Sequence, residues 1–360
     1  VKEIRIGLVG SGFIAGVHCE ALAQVPGARV VAHADVDEER GREFARARRL
    51  PQTFPDHRRM LAEAELDAVL LAVPNHLHHP LGLDAARAGK HLIVEKPLCL
   101  RLDHADELID ACRRAGVLLC YAEELCFAPK YERAKEIADE GALGRIYRVN
   151  QVEKHAGPYS PWFWRRETAG GGILMDMGCH AIEFARWFLG KPRVSAVTAL
   201  MDTVLHTDKT ELEDDVIVHL EFEGGPRALL EASWALQGGM DSYAHAFGTE
   251  GVLHVDLLRG QGLRVFSAPG YGEYAPGARG WTFPDYAWCW NNGYPQEDQH
   301  FVECMRTGAL PREGGEDGRA VLEIMLACYA SAAEGRRVPL PYTPPADLEV
   351  PVDLWLRRRR

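Results

Sequence analysis

Asp176 and His180 are the first residues whose types and spacing could do chemistry. They lie in Gly170-Gly171-Gly172-Ile173-Leu174-Met175-Asp176-Met177-Gly178-Cys179-His180-Ala181-Ile182-Glu183, a glycine-rich turn running into a mostly apolar helix. At i and i+4 their side chains share one helix face, roughly 5–6 Å apart at Cβ. A carboxylate and an imidazole in an apolar setting each need a partner. An imidazole tuned by a neighbouring carboxylate suits a general base; a structural Asp–His pair in a core helix is the alternative, and the helix alone leaves both open. Gly178 inside such a helix costs about 1 kcal/mol relative to Ala, which points to a close backbone or ligand approach.

The elements that must position this pair begin at the other end of the chain. Residues 4–9 form a short apolar run bounded by glycine, as a buried parallel strand requires. Gly10-Ser11-Gly12-Phe13-Ile14-Ala15 follows at once, a G-x-G-x-x-A turn opening a helix over 13–24. Gly10 permits the tight turn, Gly12 lets backbone approach a pyrophosphate, and Ala15 allows close helix–strand packing. The helix N-terminus, with Phe13 and Ile14 at its start, presents free N–H groups to the phosphates. The next strand, 30–35, ends in Asp35, 20 residues beyond Ala15, where an acid binds the adenosine ribose hydroxyls and repels a 2′-phosphate. NAD is therefore favoured over NADP.

Helices over 38–47 and 56–62 precede a buried strand at 68–73, which stops at Pro74-Asn75. The carboxyl ends of strands line the ligand crevice in open α/β sheets, so Asn75 and His78 are expected to contact the cofactor, and His76 and His79 to be loop histidines. A helix to residue 88 is closed by Gly89, and a strand at 91–94 ends in Glu95-Lys96-Pro97. Pro97 holds Lys96 extended, and a lysine there could polarise a substrate hydroxyl or carbonyl; a loop lysine paired with Glu95 is the alternative. A helix over 102–115 and a strand over 117–121 complete a six-strand alternating pattern, a doubly wound parallel sheet. From 129 onward the pattern changes to a helix over 129–140 and longer strands at 145–152, 193–201, 214–222, 227–235 and 242–247, with a hairpin turn at Glu223-Gly224-Gly225-Pro226. The fold class is thus α/β: a Rossmann sheet at 1–122, an α+β domain with a large open, mostly antiparallel sheet at 123–338, and a tail at 339–360. Two aromatic segments, 159–166 and 281–292, suit carbohydrate stacking or an oligomer interface; a final helix covers 317–334.

Composition narrows the function classes. The 360 residues carry a net charge of −11, against a nucleic-acid partner. No apolar run reaches membrane-spanning length. Nine cysteines without a C-x-x-C pair fit free thiols in a reducing cytoplasm, and no secretory leader precedes the first strand. The run Arg357–Arg360 reads as a solvated tail.

The glycine turn, Asp35, Pro74-Asn75-x-x-His78, Glu95-Lys96-Pro97, the Asp176-x-x-x-His180 segment, and Asp298-Gln299-His300-Phe301 as a helix start closed by Gly308 occur together in one order. In this the chain resembles the glucose–fructose oxidoreductase / inositol 2-dehydrogenase / rhizopine-catabolism (Gfo/Idh/MocA) family over nearly its whole length. The resemblance implies that Lys96, Asp176 and His180 meet across an interdomain cleft. His180 would take the proton of a secondary hydroxyl, Lys96 would hydrogen-bond that oxygen, and Asp176 would orient substrate or His180. It implies Glu95, Trp164 and Arg165 as further cofactor contacts. Tyr159 and Trp162 of the aromatic segment join the substrate pocket. The expected activity is NAD-dependent oxidation of a ring secondary hydroxyl of a sugar, sugar derivative or cyclitol, without a metal, in a homodimer or homotetramer built through the second sheet. Rival readings are a redox-neutral glycosidase using NAD for transient oxidation, an NAD sensor without catalysis, and a metal-dependent enzyme using Asp176, His180 and another histidine.

Overall fold

The computed structural model describes residues 3–258, 265–267, 280–282 and 288–359. Its first sheet has six parallel strands: β1 (Ile4–Val9), β2 (Ala28–Ala34), β3 (Thr53–Phe54), β4 (Ala68–Leu71), β5 (His91–Glu95) and β6 (Leu119–Ala122), in the order β3-β2-β1-β4-β5-β6. These strands are apolar because both faces are covered; Ile6, Leu8, Ala68, Leu70, Leu92, Ile93 and Val94 are all fully buried. Five of the six were legible as apolar runs. The two-residue β3 carries too little pattern to be read and pairs with β2 only at Thr53 and Phe54.

The crossover helices are α1 (Phe13–Leu22), α2 (Glu38–Ala47), α3 (His57–Glu63), α4 (His78–Arg87) and α5 (Leu102–Ala115). Asp37 and Asp56 cap α2 and α3 by accepting backbone N–H bonds. Gly116 in the left-handed region, at φ 67°, closes α5.

After α6 (Pro129–Asp139) comes a seven-stranded sheet. Its strands are β7 (Ile146–Lys154), β8 (Val194–Asp202), β9 (Asp215–Phe222), β10 (Arg227–Ser233), β11 (Asp241–Gly248), β12 (Val252–Asp256) and, from the end of the chain, Val338–Pro339, in the order β12-β11-β7-β10-β9-β8 with Val338–Pro339 beside β8. β9 and β10 form the expected hairpin. One pairing departs from antiparallel: β10 runs parallel to β7 in continuous register from Arg227–Arg148 to Ser233–Lys154. The chain between β7 and β8 includes α7 (Arg166–Ala169) and α8 (Cys179–Phe188), and that long excursion is what lets the later β10 lie beside β7 in the same direction.

β13 (Val265–Ser267) pairs with β14 (Gly280–Thr282) in a separate ribbon; Val338–Pro339 is thus β15. The remaining helices are α9 (Trp288–Asn291), α10 (Tyr294–Thr307), α11 (Gly315–Glu334) and α12 (Asp353–Arg359). Asp298 lies in the second turn of α10 rather than at its start, and Gly308 closes that helix as expected. α11 packs both on β8 and on α5, and α10 packs on α1, so the last third of the chain returns to the first sheet. Arg357 does not sit in a free tail. Arg357 belongs to α12 and pairs with Asp347, and the N–H of Val352 donates to the carbonyl of Gly170. Within the aromatic segment 281–292, residues 283–287 lie outside the described residues.

Candidate active site

The glycine turn between β1 and α1 has the geometry a pyrophosphate needs. Gly10 sits at φ 107°, and a Cβ there would lie 2.2 Å from the carbonyl oxygen of Ala72, so only glycine fits. A Cβ on Gly12 would meet nothing within 4 Å among the described residues, in front of α1. Gly12 is the N-cap and offers no side-chain bond, so the first-turn N–H groups remain available. Phe13 is exposed, Ile14 is half-buried and Ala15 is buried against the sheet. Asp35 follows β2 and is buried, with its carboxylate accepting from the N–H of Asp37 (2.9 Å) and from Arg40 Nη2 (3.0 Å). Burial opposes the charge, but hydrogen bonds from Ser11, Arg40 and Asp37 hold the carboxyl below its usual range. These residues fit NAD: an anion-accepting helix end and an ionised acid beyond it.

The strand ends of the first sheet supply the rest. Lys96, in the Glu95-Lys96-Pro97 turn with its cis peptide bond, places Nζ 2.8 Å from the carbonyl oxygen of Asp176 and 3.1 Å from Asp176 Oδ1. An ammonium has three N–H donors, so one is left for a ligand. Burial disfavours the charge on Lys96, yet Asp176 foremost among its neighbours raises its pKa.

Asp176 meets Lys96 at a point where the helix is not regular. Leu174–Gly178 is one turn of π-helix leading into α8. Such turns interrupt the i→i+4 ladder and are frequent at functional sites; here the Asp176 carbonyl accepts from Lys96 and from the Cys179 thiol. The oxygen Oδ2 accepts from His155 Nε2 (3.2 Å) and Trp234 Nε1 (2.9 Å). The N–H of Gly157 donates to His155 Nδ1 (3.1 Å), which leaves the proton on Nε2. Burial would raise the Asp176 carboxyl, but Lys96, His155 and Trp234 hold it far below its usual range. Asp176 is a fixed anion that anchors Lys96.

This corrects the expected pairing: Asp176 spends its oxygens on Lys96, His155 and Trp234, and His180 turns elsewhere. His180 Nδ1 lies 2.7 Å from Glu123 Oε1 and 3.7 Å from Glu124 Oε2. Glu123 and Glu124 directly follow β6, the same kind of position that drew attention to Lys96, and that signal could have found them. His155 and Trp234 had no comparable mark in the sequence.

Behind Lys96 a second constellation fixes the turn. His18 of α1 is fully buried, with Nε2 3.0 Å from Glu95 Oε1 and Nδ1 3.2 Å from both oxygens of Asp298. The other Glu95 oxygen accepts the backbone N–H of Lys96. Burial would lower the His18 pKa, but Asp298 and Glu95 together hold it well above its ordinary value. Glu95 therefore acts on the backbone of Lys96 and on His18.

The remaining expected residues divide. Asn75 is buried and donates through Nδ2 to the carbonyl of Ala169 (2.8 Å). His78 does not present a ring to the crevice: it is fully buried, with Nδ1 2.8 Å from the Pro97 carbonyl and Nε2 3.0 Å from that of Val73. It braces the Lys96–Pro97 turn from beneath. His76 is exposed, and His79 pairs with Glu107. Trp164 packs edge-on to Trp234 at 5.1 Å, which places it beside Asp176. Trp162 stacks on Phe163, Arg165 is exposed, and Tyr159 is almost fully exposed. From the late aromatic segment, Trp288 meets Phe13 at 5.6 Å at the start of α1.

Known proteins are similar to this chain over nearly its whole length. Residues 4–123 match the family model described as the oxidoreductase family with an NAD-binding Rossmann fold, and residues 131–254 match the GFO/IDH/MocA C-terminal domain. The crystal structure of GenD2 from gentamicin A biosynthesis, in complex with NAD, is 34% identical over 95% of this chain and 97% of that one, with a TM-score of 0.90. This chain belongs to the Gfo/Idh/MocA oxidoreductase family. Other members include the scyllo-inositol 2-dehydrogenase (NAD(+)) of Bacillus subtilis, 29% identical over 94% of this chain and 96% of that protein. A levoglucosan dehydrogenase solved with NADH and levoglucosan is 26% identical over 95% of this chain and all of that one, with a TM-score of 0.80. The Gfo/Idh/MocA chain described here is an NAD-dependent oxidoreductase.

Proposed function

We propose that this enzyme oxidises a ring secondary hydroxyl of a sugar, sugar derivative or cyclitol. One observation carries the reading. Beside the dinucleotide turn, an ammonium with a spare N–H is anchored on Asp176, one helical turn before a buried imidazole, and among the described residues no group bonds that imidazole's Nε2. Lys96 holds the substrate oxygen and favours negative charge on it; His180 Nε2 takes the hydroxyl proton. NAD supplies the acceptor for the hydride that leaves the same carbon. Asp176 is the anchor that keeps Lys96 charged and in place. Trp162 and Trp164, with Tyr159 at the rim, give aromatic faces on which a sugar ring can stack. The relatives named above act on or are solved with compounds of this kind, an inositol and levoglucosan.

Purified protein incubated with NAD and a panel of inositols, aldoses and glycosides tests the proposal, with product analysis beside NADH absorbance. The expected result is NADH formation with one substrate class, lost by about 100-fold or more in Lys96→Ala while NAD affinity is retained. Product without NADH would instead support the redox-neutral glycosidase. Full turnover in Lys96→Ala would remove the lysine from the site. The protein is further proposed to assemble as a homodimer or homotetramer through the outer face of the second sheet.

A further inference from the structure

Glu123 stands directly behind His180, fully buried at the carboxyl end of β6. We propose that Glu123 is the positioning residue for the oxidation argued above: its carboxylate accepts the Nδ1–H of His180 and so reserves the Nε2 lone pair for the substrate proton. Three observations carry this. The Nδ1–Oε1 separation of 2.7 Å is that of a charge-assisted hydrogen bond. The other oxygen, Oε2, is buried and has no hydrogen-bond partner among the described residues, so the carboxylate is committed to His180. Asp176, the residue whose spacing nominated it for this task, has both oxygens occupied elsewhere.

The groups around the imidazole come from five elements. Glu95 and Lys96 follow from β5, Glu123 and Glu124 from β6, Asp176 and Cys179 from the π turn and α8, and Tyr294 from α10, where its hydroxyl donates to Glu124 (3.1 Å). Tyr294 thus occupies Glu124 and leaves Glu123 as the nearer carboxylate. In the reaction the substrate O–H bond breaks and an Nε2–H bond forms. The carbon-bound hydrogen departs with two electrons to NAD, and the C–O bond becomes a carbonyl. The positive charge gained by the imidazole is then shared across Nδ1–H···Oε1. Burial raises the Glu123 carboxyl to about 8 and lowers His180, so the carboxylate that accepts Nδ1–H is the form present above about pH 8.

The proposal rests on the dehydrogenase reading, and its test separates the two. In histidine labelled with nitrogen-15, the His180 ring signal is assigned by its disappearance in His180→Asn, and the NAD-bound protein above about pH 8, where Glu123 is ionised, is expected to carry the ring proton on Nδ1. A proton on Nε2 in the neutral ring overturns the assignment. This spectrum needs no substrate, so it decides the role of Glu123 even where no sugar or cyclitol yields NADH, a result that counts against the substrate class alone. With a substrate in hand, Glu123→Gln is expected to lower the plateau of kcat/KM by about 100-fold. It is also expected to move the acidic limb to lower pH, because the imidazolium loses the anion that stabilises it. NAD affinity stays unchanged. An unmoved limb shows a merely structural role and overturns the proposal; the wild-type spectrum stands as the test if the variant does not fold.

Discussion

At the scale of single residues, the site divides charge between fixed and mobile groups. Asp176 and Lys96 hold each other ionised, while His180 keeps one nitrogen without a partner among the described residues. The sequence pointed to all three residues, by their place in one segment or at a strand end, and expected Asp176 to orient substrate or His180; the structure gives its carboxylate to Lys96, His155 and Trp234. Spacing along a helix identifies which side chains share a face; it does not reveal a competing ammonium arriving from residue 96. Asp35 shows the same limit in a useful way. Its expected place at the end of β2 holds, and the structure adds Arg40 at 3.0 Å. In Asp35→Ala the anion that repels a 2′-phosphate disappears and Arg40 is released to meet one. A charged hydrogen bond is worth roughly 1.5–3 kcal/mol, so the ratio of kcat/KM for NAD over NADP is expected to fall by about tenfold or more. An unchanged ratio would take Asp35 out of the ribose site.

At the scale of elements, the triple glycine before Asp176 has a packing cause that the sequence only hinted at. A Cβ on Gly171 would fall 1.9 Å from the hydroxyl of Tyr329, and one on Gly172 would fall 1.9 Å from the carbonyl oxygen of Glu213. Glu213 approaches this closely to hold the start of the π turn: its Oε1 accepts from the N–H groups of Gly172 and Leu174 and from Tyr329, and its carbonyl accepts from Ile173. Gly178, expected to serve a backbone or ligand approach, instead makes room for the Leu174 side chain, 2.7 Å from where its Cβ would stand. Gly172→Ala must push a backbone carbonyl aside, and overpacking of this kind costs about 1–3 kcal/mol. Urea unfolding should register that loss through a lower midpoint with unchanged slope. Activity should fall further than stability, because the displaced turn carries Asp176. A variant as stable and active as the parent would show that the turn tolerates the shift.

At the scale of the molecule, helices from late in the chain tie the two sheets together. His18 of α1 is held between Glu95 at the end of β5 and Asp298 of α10, and α11 spans from α5 to β8. The second sheet is covered on one face by α8 and α11. Its other face carries Leu200, 67% exposed, paired across strands with Ile217, 42% exposed, and farther along Tyr147 and Val252 are exposed too. Apolar residues in the middle of an open sheet face suit an interface between copies. Leu200→Glu combined with Ile217→Glu is expected to reduce the solution mass from a dimer or tetramer to a smaller species in light scattering. Retention of the parent mass would place the interface elsewhere. Among the described residues no helix is long and apolar enough to cross a membrane.

What the sequence determined by itself is everything local. The apolar runs marked five of the six strands of the first sheet, the glycine turn and Asp35 marked the dinucleotide site, and strand-end position marked Lys96. These follow from neighbours in the chain, whose periodicity and turn chemistry are written in adjacent residues. What only the tertiary structure decided is who partners whom. The parallel pairing of β7 with β10 brings their C-terminal neighbours His155 and Trp234 to one end of the sheet, and both then donate to the same oxygen of Asp176. Glu123 reaches His180 from 57 residues away, and Asp298 reaches His18 from 280. Such contacts depend on how sheets and helices close on one another in space, and no spacing along the chain encodes them.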